Sequence, residues 1–278
     1  MNAATESLNA PDSSSAPVFH RRAPRRRYLR IFGLETRAEL MKMVRMPAFV
    51  VPAFAFPLMF YALFGLAFGR GQEIGPVTML GYLLATYGAF GVIGANLFSF
   101  GVGIAVERGQ GWMLLKRAMP LPPLIHFLAR MVVGMVFSLL ILVGLFALGG
   151  FFGGVALPLP AWVKLAAWLT VGGLPFAAFG LFFGYLCGPN SAPAVINLLY
   201  LPLSFASGLW MPYEVLPGFF KALAPWLPAF HLAQQGLGIV GAETHASWTQ
   251  SIVYLSAFTV VSLVAGIAAY RRDQESWG

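Results

Sequence analysis

The sequence predicts an all-α polytopic membrane protein with six transmembrane helices. Of its 278 residues, 58% are hydrophobic and only 10% are charged, and the mean hydropathy is +0.74. A soluble protein carries about a quarter charged residues, so the surplus apolar surface has to face lipid. Apolar stretches of about 20 residues, the length that crosses a bilayer, recur along the chain and supply the predicted helices.

The first 27 residues are predicted to form a disordered, basic cytoplasmic tail. Residues 1–19 are polar and rich in Ser, Ala and Pro, as disordered segments are. No apolar core follows the arginine run, so a cleavable signal peptide is not expected.

A helix is expected from residue 28 to residue 45, ahead of the first span. Glu35, Glu39 and Lys42 fall on one stripe of this helix, and apolar side chains lie roughly opposite. Two interpretations are open. The segment is either an interfacial elbow helix that leads into the first span, or a basic segment attracted to anionic lipid.

The apolar stretches define one transmembrane domain, residues 28–272, followed by a cytoplasmic C-terminal tail, residues 273–278. Small residues at four-residue spacing predict close helix packing, at Gly65 and Gly69 and again at Gly180, Gly184 and Gly188. The predicted spans are residues 46–68, 77–106, 124–148, 162–187, 193–209 and 248–270.

Basic residues concentrate on one side of these spans. Nine Lys or Arg residues precede the first span, three lie in the loop after the second, and two follow the last, whereas the opposite side carries three. Because Lys and Arg mark the cytoplasmic side, both termini are predicted to be cytoplasmic. The net charge of +8 is therefore interpreted as a topology signal, and no nucleic-acid partner is expected.

What the chain lacks argues against several function classes. It contains no GxxxxGK[ST] loop, so it cannot itself bind ATP in the P-loop manner. No ionisable residue lies deep in a predicted span, which disfavours a proton-coupled carrier or an intramembrane enzyme. The four histidines are scattered and are interpreted as interfacial packing residues, and the single cysteine, Cys187, as a small packing residue. No catalytic residue, bound cofactor or metal site is predicted.

The loop after the second span reads ERGQGWMLLKRAMPLPP and contains a short predicted helix. That helix starts at Trp112 and is stopped by Pro120, with Trp112 and Leu115 on one face. An exposed apolar face of this kind suits a groove on a partner protein. Anchoring of Trp112 in the membrane interface is the alternative.

Neutral polar and aromatic side chains within and near the spans are candidates for a substrate pathway. Ordinary hydrogen bonding between helices is the alternative role for each of them. The candidates are Tyr82, Asn96, Asn197, Ser204 and Phe205.

Residues 28–272 resemble the type-2 permeases of ABC transporters, the membrane subunits of bacterial drug, polysaccharide and lipid exporters. The resemblance is carried by the acid–base–glycine opening at Glu107, by Pro120, by Arg130 and most specifically by SGLWMPYEVLPGFFKALAPWLPAFHLAQQGLGIV. The chain departs from the family's Gly-Thr-acid pattern, since Gly111 is followed by Trp112 and a methionine.

The resemblance implies an exporter in the bacterial inner membrane, powered by a partner. Two ATP-binding subunits, which carry the ATP and Mg, would dock on two permease copies, as a homodimer or a heterodimer. Contacts with the ATPase would come from a coupling set: Glu107, Arg108, Trp112, Leu115, Lys116 and Arg117.

The resemblance also implies a re-entrant helical hairpin between the fifth and sixth spans, which would gate the outer end of the pathway. A plain extracytoplasmic loop is the alternative. A neutral, aromatic-rich interior predicts a hydrophobic or amphiphilic cargo such as a drug, natural product or lipid. A polysaccharide or glycolipid exporter and a membrane scaffold that binds a cytoplasmic partner are alternatives. The gate set is Gly208, Met211, Pro212, Glu214, Leu216 and Pro217.

Overall fold

The structure, a computed structural model, describes residues 25–45, 47–112 and 123–275. Within these ranges the secondary structure is helical apart from one antiparallel hairpin, in which β1 (Glu73–Ile74) pairs with β2 (Val77–Thr78). In chain order the α-helices are α1 (Arg25–Val44), α2 (Pro47–Phe60), α3 (Met79–Gly109), α4 (Pro123–Ala147), α5 (Leu159–Gly172), α6 (Leu174–Leu186), α7 (Ala192–Ala206), α8 (Gly218–Leu223), α9 (Pro228–Val240) and α10 (Trp248–Glu275). Helix α2 continues as a π-helix, Tyr61–Ala67, and α4 continues as a second one, Leu148–Phe152.

Four described helical segments are long and apolar enough to cross a bilayer: Met79–Gly109, Leu124–Phe152, Leu159–Leu186 and Trp248–Asp273. Two shorter apolar helices, Ala53–Ala67 and Ala192–Ala206, lie where the first and fifth spans were predicted. At about 1.5 Å per residue, the 15 residues of α7 extend only about 22 Å, less than the hydrocarbon core of about 30 Å. The all-α class is confirmed, and the count of six spans stays a prediction.

Helix α3 forms the centre of the bundle and is buried along most of its length. Helix α6 packs directly against α3 because glycines remove the side chains between the two backbones. A Cβ at Gly180 would lie 2.8 Å from the Leu97 carbonyl oxygen, and one at Gly184 would lie 2.7 Å from the Phe100 carbonyl oxygen. The predicted close packing at these two glycines is confirmed, whereas a Cβ at Gly188 would be in ordinary contact with Ser191 Oγ, at 3.7 Å.

The predicted fourth span is divided into α5 and α6 by Gly173. A Cβ at this position would lie 2.4 Å from Val92 Cγ1 and 2.8 Å from Asn96 Nδ2, so α3 leaves room only for glycine. Pro175 follows at the start of α6, where a missing backbone N–H costs no helical hydrogen bond.

Helix α10 packs on α6 and α9 with one face and turns the other outward. Only 17% of its most apolar stretch is buried, and Val253, Val260 and Val264 are exposed. An apolar face of this length, exposed on a membrane protein, is a surface for lipid.

Between α7 and α10 the chain is cut into short helical pieces by proline. Pro212 precedes the 3₁₀ turn Tyr213–Val215, Pro217 precedes α8, and Pro228 begins α9. A further 3₁₀ turn, Ala224–Trp226, joins α8 to α9. From these prolines the sequence predicts two helical pieces, residues 213–223 and 229–239. The first is found divided into a 3₁₀ turn and α8, and the second is found as the single helix α9. Re-entry of this segment into the membrane stays a prediction.

Candidate functional site

A cluster of charged side chains joins α1, α3 and α4 at one end of the bundle. We call it the ionic cluster. Helix α1 contributes Glu35, Glu39 and Lys42, the stripe expected from its sequence, and this stripe faces the protein. The opposite face of α1 is apolar and exposed, with Leu34 and Val44 each more than half accessible. Helix α1 thus presents its polar side inward and its apolar side outward.

Glu107 and Arg130 form the buried centre of the ionic cluster. Arg130 Nη2 donates to Glu107 Oε1 at 2.6 Å and lies 3.7 Å from Glu39 Oε2. Lys42 donates to the same Glu107 oxygen and, at 2.5 Å, to Glu39. Charges buried this deeply need partners, because removing one partner leaves the other uncompensated. These pairs therefore fix α1 against the ends of α3 and α4.

His126, one helical turn before Arg130, also belongs to the ionic cluster. Its Nδ1 lies 2.8 Å from Glu35 Oε1 and 3.5 Å from Glu39 Oε1, and the ring is 5% exposed. His126, which the sequence indicates as an interfacial packing residue, is thus placed by the structure beside two carboxylates. Donor atoms of Glu35, Glu39 and His126 lie within 4.8 Å of one another, close enough to share an ion. Lys42 and Arg130 already supply positive charge to this group.

The predicted coupling set is divided by the structure. Glu107 belongs to the ionic cluster. Arg108 instead donates to the Gly184 and Cys187 carbonyl oxygens at the end of α6 and to Asp273 on α10. Trp112, directly after the turn at Gly111, is 51% exposed and offers an apolar surface beside the ionic cluster. Leu115, Lys116 and Arg117 lie outside the described residues.

The predicted gate set lies at the opposite end of α3. Gly208 is buried and adopts φ +71°, a left-handed conformation that favours glycine. Leu216 is buried, Met211 and Pro212 are half-buried, and Pro217 is exposed.

Two tyrosines of α3 hold the segment that contains the gate set. Tyr87 donates to the Trp210 carbonyl oxygen at 3.2 Å, and Tyr82 accepts from the Tyr213 amide at 3.3 Å. Glu214, exposed, lies 2.8 Å from His245 Nε2, so a second histidine also has a carboxylate neighbour. The segment is thereby fixed to the same central helix that carries Glu107 at its other end.

The predicted pathway residues do not converge on one surface of the chain. Tyr82, Asn96 and Ser204 are buried in its interior, and Asn96 donates to Ser138 on α4 at 3.1 Å. Asn197 is exposed on α7 and Phe205 is half-buried. Asn96 therefore connects α3 to α4, whereas Ser204 donates to the Tyr200 carbonyl oxygen within α7.

Sequence analysis missed the assembly of the ionic cluster. Its charged stripe on α1 was visible, but the partners Glu107, His126 and Arg130 come from distant parts of the chain. A usable signal was the pair His126 and Arg130, one turn apart at the start of a span, where ionisable side chains normally require partners.

The family model of the ABC-2 type transporter matches residues 32–241, which include the ionic cluster and the segment that holds the gate set. The chain belongs to the ABC-2 type transporter family. A curated relative, "Putative transport permease YvfS" of Bacillus subtilis (strain 168), is 29% identical over 241 residues, or 86% of this chain and 96% of the relative. The resemblance inferred from the sequence motifs is confirmed.

Membership in this family explains why the chain has long apolar helices. The permease is a multi-pass membrane protein, and permeases of this family normally pair with an ATP-binding subunit. The family and the permease relative together indicate a transport subunit rather than an enzyme.

Proposed function

We propose that the permease exports a hydrophobic or amphiphilic compound across the bacterial inner membrane, driven by separate ATP-binding subunits. The observation that carries this proposal is the family match over residues 32–241 in a chain without a P-loop sequence. A permease that cannot hold ATP needs a partner to supply the energy. ATP and Mg would be bound by that partner, which would be present in two copies below two permeases.

Contact with the partner is assigned to the exposed Trp112 and the residues that follow it. A large aromatic side chain at a protein surface is the type of residue that dominates binding energy at interfaces. Trp112 is three residues from the end of α3, the helix that also carries Glu107. If the partner displaces Trp112, the end of α3 should move with it. The ionic cluster would transmit this movement to α1 and α4.

Release of cargo is assigned to the segment that contains the gate set. Tyr82 and Tyr87 link this segment to α3, so displacement of α3 would also displace Trp210 and Tyr213. Such a link between two ends of one helix is a route for coupling when the helix has two arrangements. Re-entry of the segment from the outer side belongs to this proposal.

The class of cargo is inferred from the residues buried in the middle of the described helices. Asn96, Ser138 and Ser204 are neutral, and they are surrounded by aromatic and aliphatic side chains. An anionic polymer would more naturally require basic side chains along its route. An amphiphile with a neutral apolar body suits these surroundings.

Isolation of the permease from its native membrane in mild detergent tests the proposal. Mass spectrometry should recover an ATP-binding cassette subunit at about one copy per permease, and amphiphiles should stimulate the ATPase activity of that complex. Recovery of the permease without an ATPase would contradict the energy source. An ATPase that responds to no amphiphile would contradict the cargo class.

The same isolation tests the role of Trp112. Trp112→Ala should reduce co-purification of the ATPase subunit by about tenfold, because it removes an aromatic contact of the hot-spot type. Trp226→Ala is the matched control, since Trp226 is 69% exposed but lies in the segment between α7 and α10. Equal loss in both variants would disprove docking at Trp112.

A further inference from the structure

A cavity of about 700 Å³ lies between α1 and α3 beside the ionic cluster. Helix α1 packs on α4 and reaches α3 through Lys42, which contacts Glu107, and through Met43, which accepts from Ser99, and the cavity lies next to these contacts. Its volume lies within the range of about 300–1,000 Å³ that is usual for small-molecule sites. The cavity is distinct from the gate set and from the predicted pathway residues.

The walls of the cavity combine an apolar side with a charged floor. Phe98, Val102 and Val106 of α3 face Met41 and Met43 of α1. The floor carries the ionic cluster, with Glu39, Lys42, Glu107 and Arg130 among the lining residues. A ligand that fits both surfaces has an apolar chain and a polar headgroup.

Arg45 decides the sign of the headgroup. It lines the cavity, is exposed, and forms no ion pair with another described residue. The other cations at the cavity, Lys42 and Arg130, contact Glu39 and Glu107. The third acid of the lining, Glu35, is half-buried and lies 2.8 Å from His126 Nδ1. Arg45 is thus the exposed charge among the described lining residues, and it attracts an anion.

The position of the cavity favours a lipid as the source of that anion. The exposed face of α1 is apolar, at Leu34, Met41 and Val44, as in a helix that lies in a membrane interface. Its basic flank belongs to the side predicted to be cytoplasmic, where anionic lipids concentrate. Arg45 at the end of such a helix would lie at headgroup level, and the apolar wall would run from it toward the hydrocarbon.

We propose that the cavity between α1 and α3 binds an anionic phospholipid, with its phosphate on Arg45 and an acyl chain against Phe98, Val102 and Val106. The lipid fills the space between α1 and α3 and contacts both helices. The bound lipid stabilises the position of α1 relative to α3. It does not replace any of the ion pairs on the cavity floor.

Native mass spectrometry of the purified full chain, titrated with phosphatidylglycerol or phosphatidylcholine, tests the proposal. Phosphatidylglycerol should be retained about fivefold more strongly, the increment expected for one arginine at a membrane surface. Arg45→Gln should abolish the difference, because it removes the charge without reducing the volume of the cavity. Arg37→Gln is the matched control, since Arg37 is an exposed residue of α1 outside the cavity lining.

A second variant, Val102→Trp, should reduce retention of both lipids because its side chain occupies the cavity. Equal retention of the two lipids by the wild-type chain would overturn the proposal, as would equal effects of the Arg45 and Arg37 variants. Displacement of phosphatidylglycerol by inorganic phosphate would assign the site to a free ion and also overturn it. The test requires neither the ATP-binding subunit nor cargo, so failure here leaves the proposed export function standing.

Discussion

Arg130 is the largest side chain that is fully buried in the described part of the chain, and its charge is compensated by residues of two other helices. Glu107 of α3 accepts from it at 2.6 Å and Glu39 of α1 lies at 3.7 Å. A hydrophobic pair of the same size would often be at least as stable. What the ion pairs add is a defined position of α1, α3 and α4 relative to one another.

Arg130→Met should destabilise the permease by about 3 kcal/mol, because it leaves Glu107 buried with one of its cations missing. The double variant Arg130→Met with Glu107→Leu should recover part of that loss, since the uncompensated carboxylate is removed as well. Thermal unfolding in detergent measures both. Arg37→Met, on the exposed side of α1, is the control and should change the melting temperature little. A double variant less stable than the single one would contradict a paired buried charge.

The position of Arg130 and the partners of Arg130 differ in how far the sequence predicts them. The place of Arg130 at the start of the third span could be predicted from the sequence alone. Its partners could not, because Glu39 lies 91 positions away from it and pairing depends on how α1 returns to α4. The same limit applies to His126, whose neighbour Glu35 is also 91 positions away.

Among the elements, the contact between α3 and α6 depends most directly on side-chain size. At Gly184 a Cβ would lie 2.7 Å from one backbone oxygen of α3 and 3.1 Å from another. Backbone atoms cannot rotate aside as a side chain can. The two helices would have to separate to admit a methyl group.

Gly184→Ala should therefore destabilise the permease by about 2 kcal/mol, the usual cost of overpacking a core. Gly33→Ala is the control and should not destabilise the permease. A Cβ at Gly33 meets nothing within 4 Å, and alanine is the better helix former. Melting temperatures of both variants in the same detergent give the comparison. A Gly184 variant as stable as the wild type would show that α3 and α6 separate easily.

Helix positions were predictable where apolar stretches are long, and helix breaks were predictable where proline is dense. The central helix α3 was expected over residues 77–106 and is found at Met79–Gly109, and the pieces after Pro212 begin where the prolines indicate. The division of the fourth span at Gly173 was not predicted. The division occurs because Val92 and Asn96 of α3 lie against Gly173. The residues around Gly173 in the sequence do not reveal this contact.

As a multi-pass membrane protein, the permease as a whole has an orientation in the bilayer. Both termini are predicted to be cytoplasmic from the distribution of Lys and Arg. The end of α1 and the end of α10 should then share one side of the bilayer, opposite the loop between α9 and α10.

Single cysteines test this arrangement in a Cys187→Ser background. Thr244→Cys, in the exposed loop before α10, should react with a membrane-impermeant maleimide in intact cells. Arg26→Cys and Arg271→Cys, both exposed, should react only after the membrane is permeabilised. Labelling of Arg271→Cys but not of Arg26→Cys in intact cells would mean an odd number of spans between residues 26 and 271, and would remove the six-span topology.

The contact between Arg108 and Asp273 has a consequence for the order in which the fold can be completed. Arg108 lies in α3, whereas Asp273 belongs to the last turns of α10, 165 positions later in the chain. The arginine therefore acquires its carboxylate only after α10 has packed beside the end of α6. Until then this half-buried guanidinium depends on the neutral carbonyl oxygens of Gly184 and Cys187.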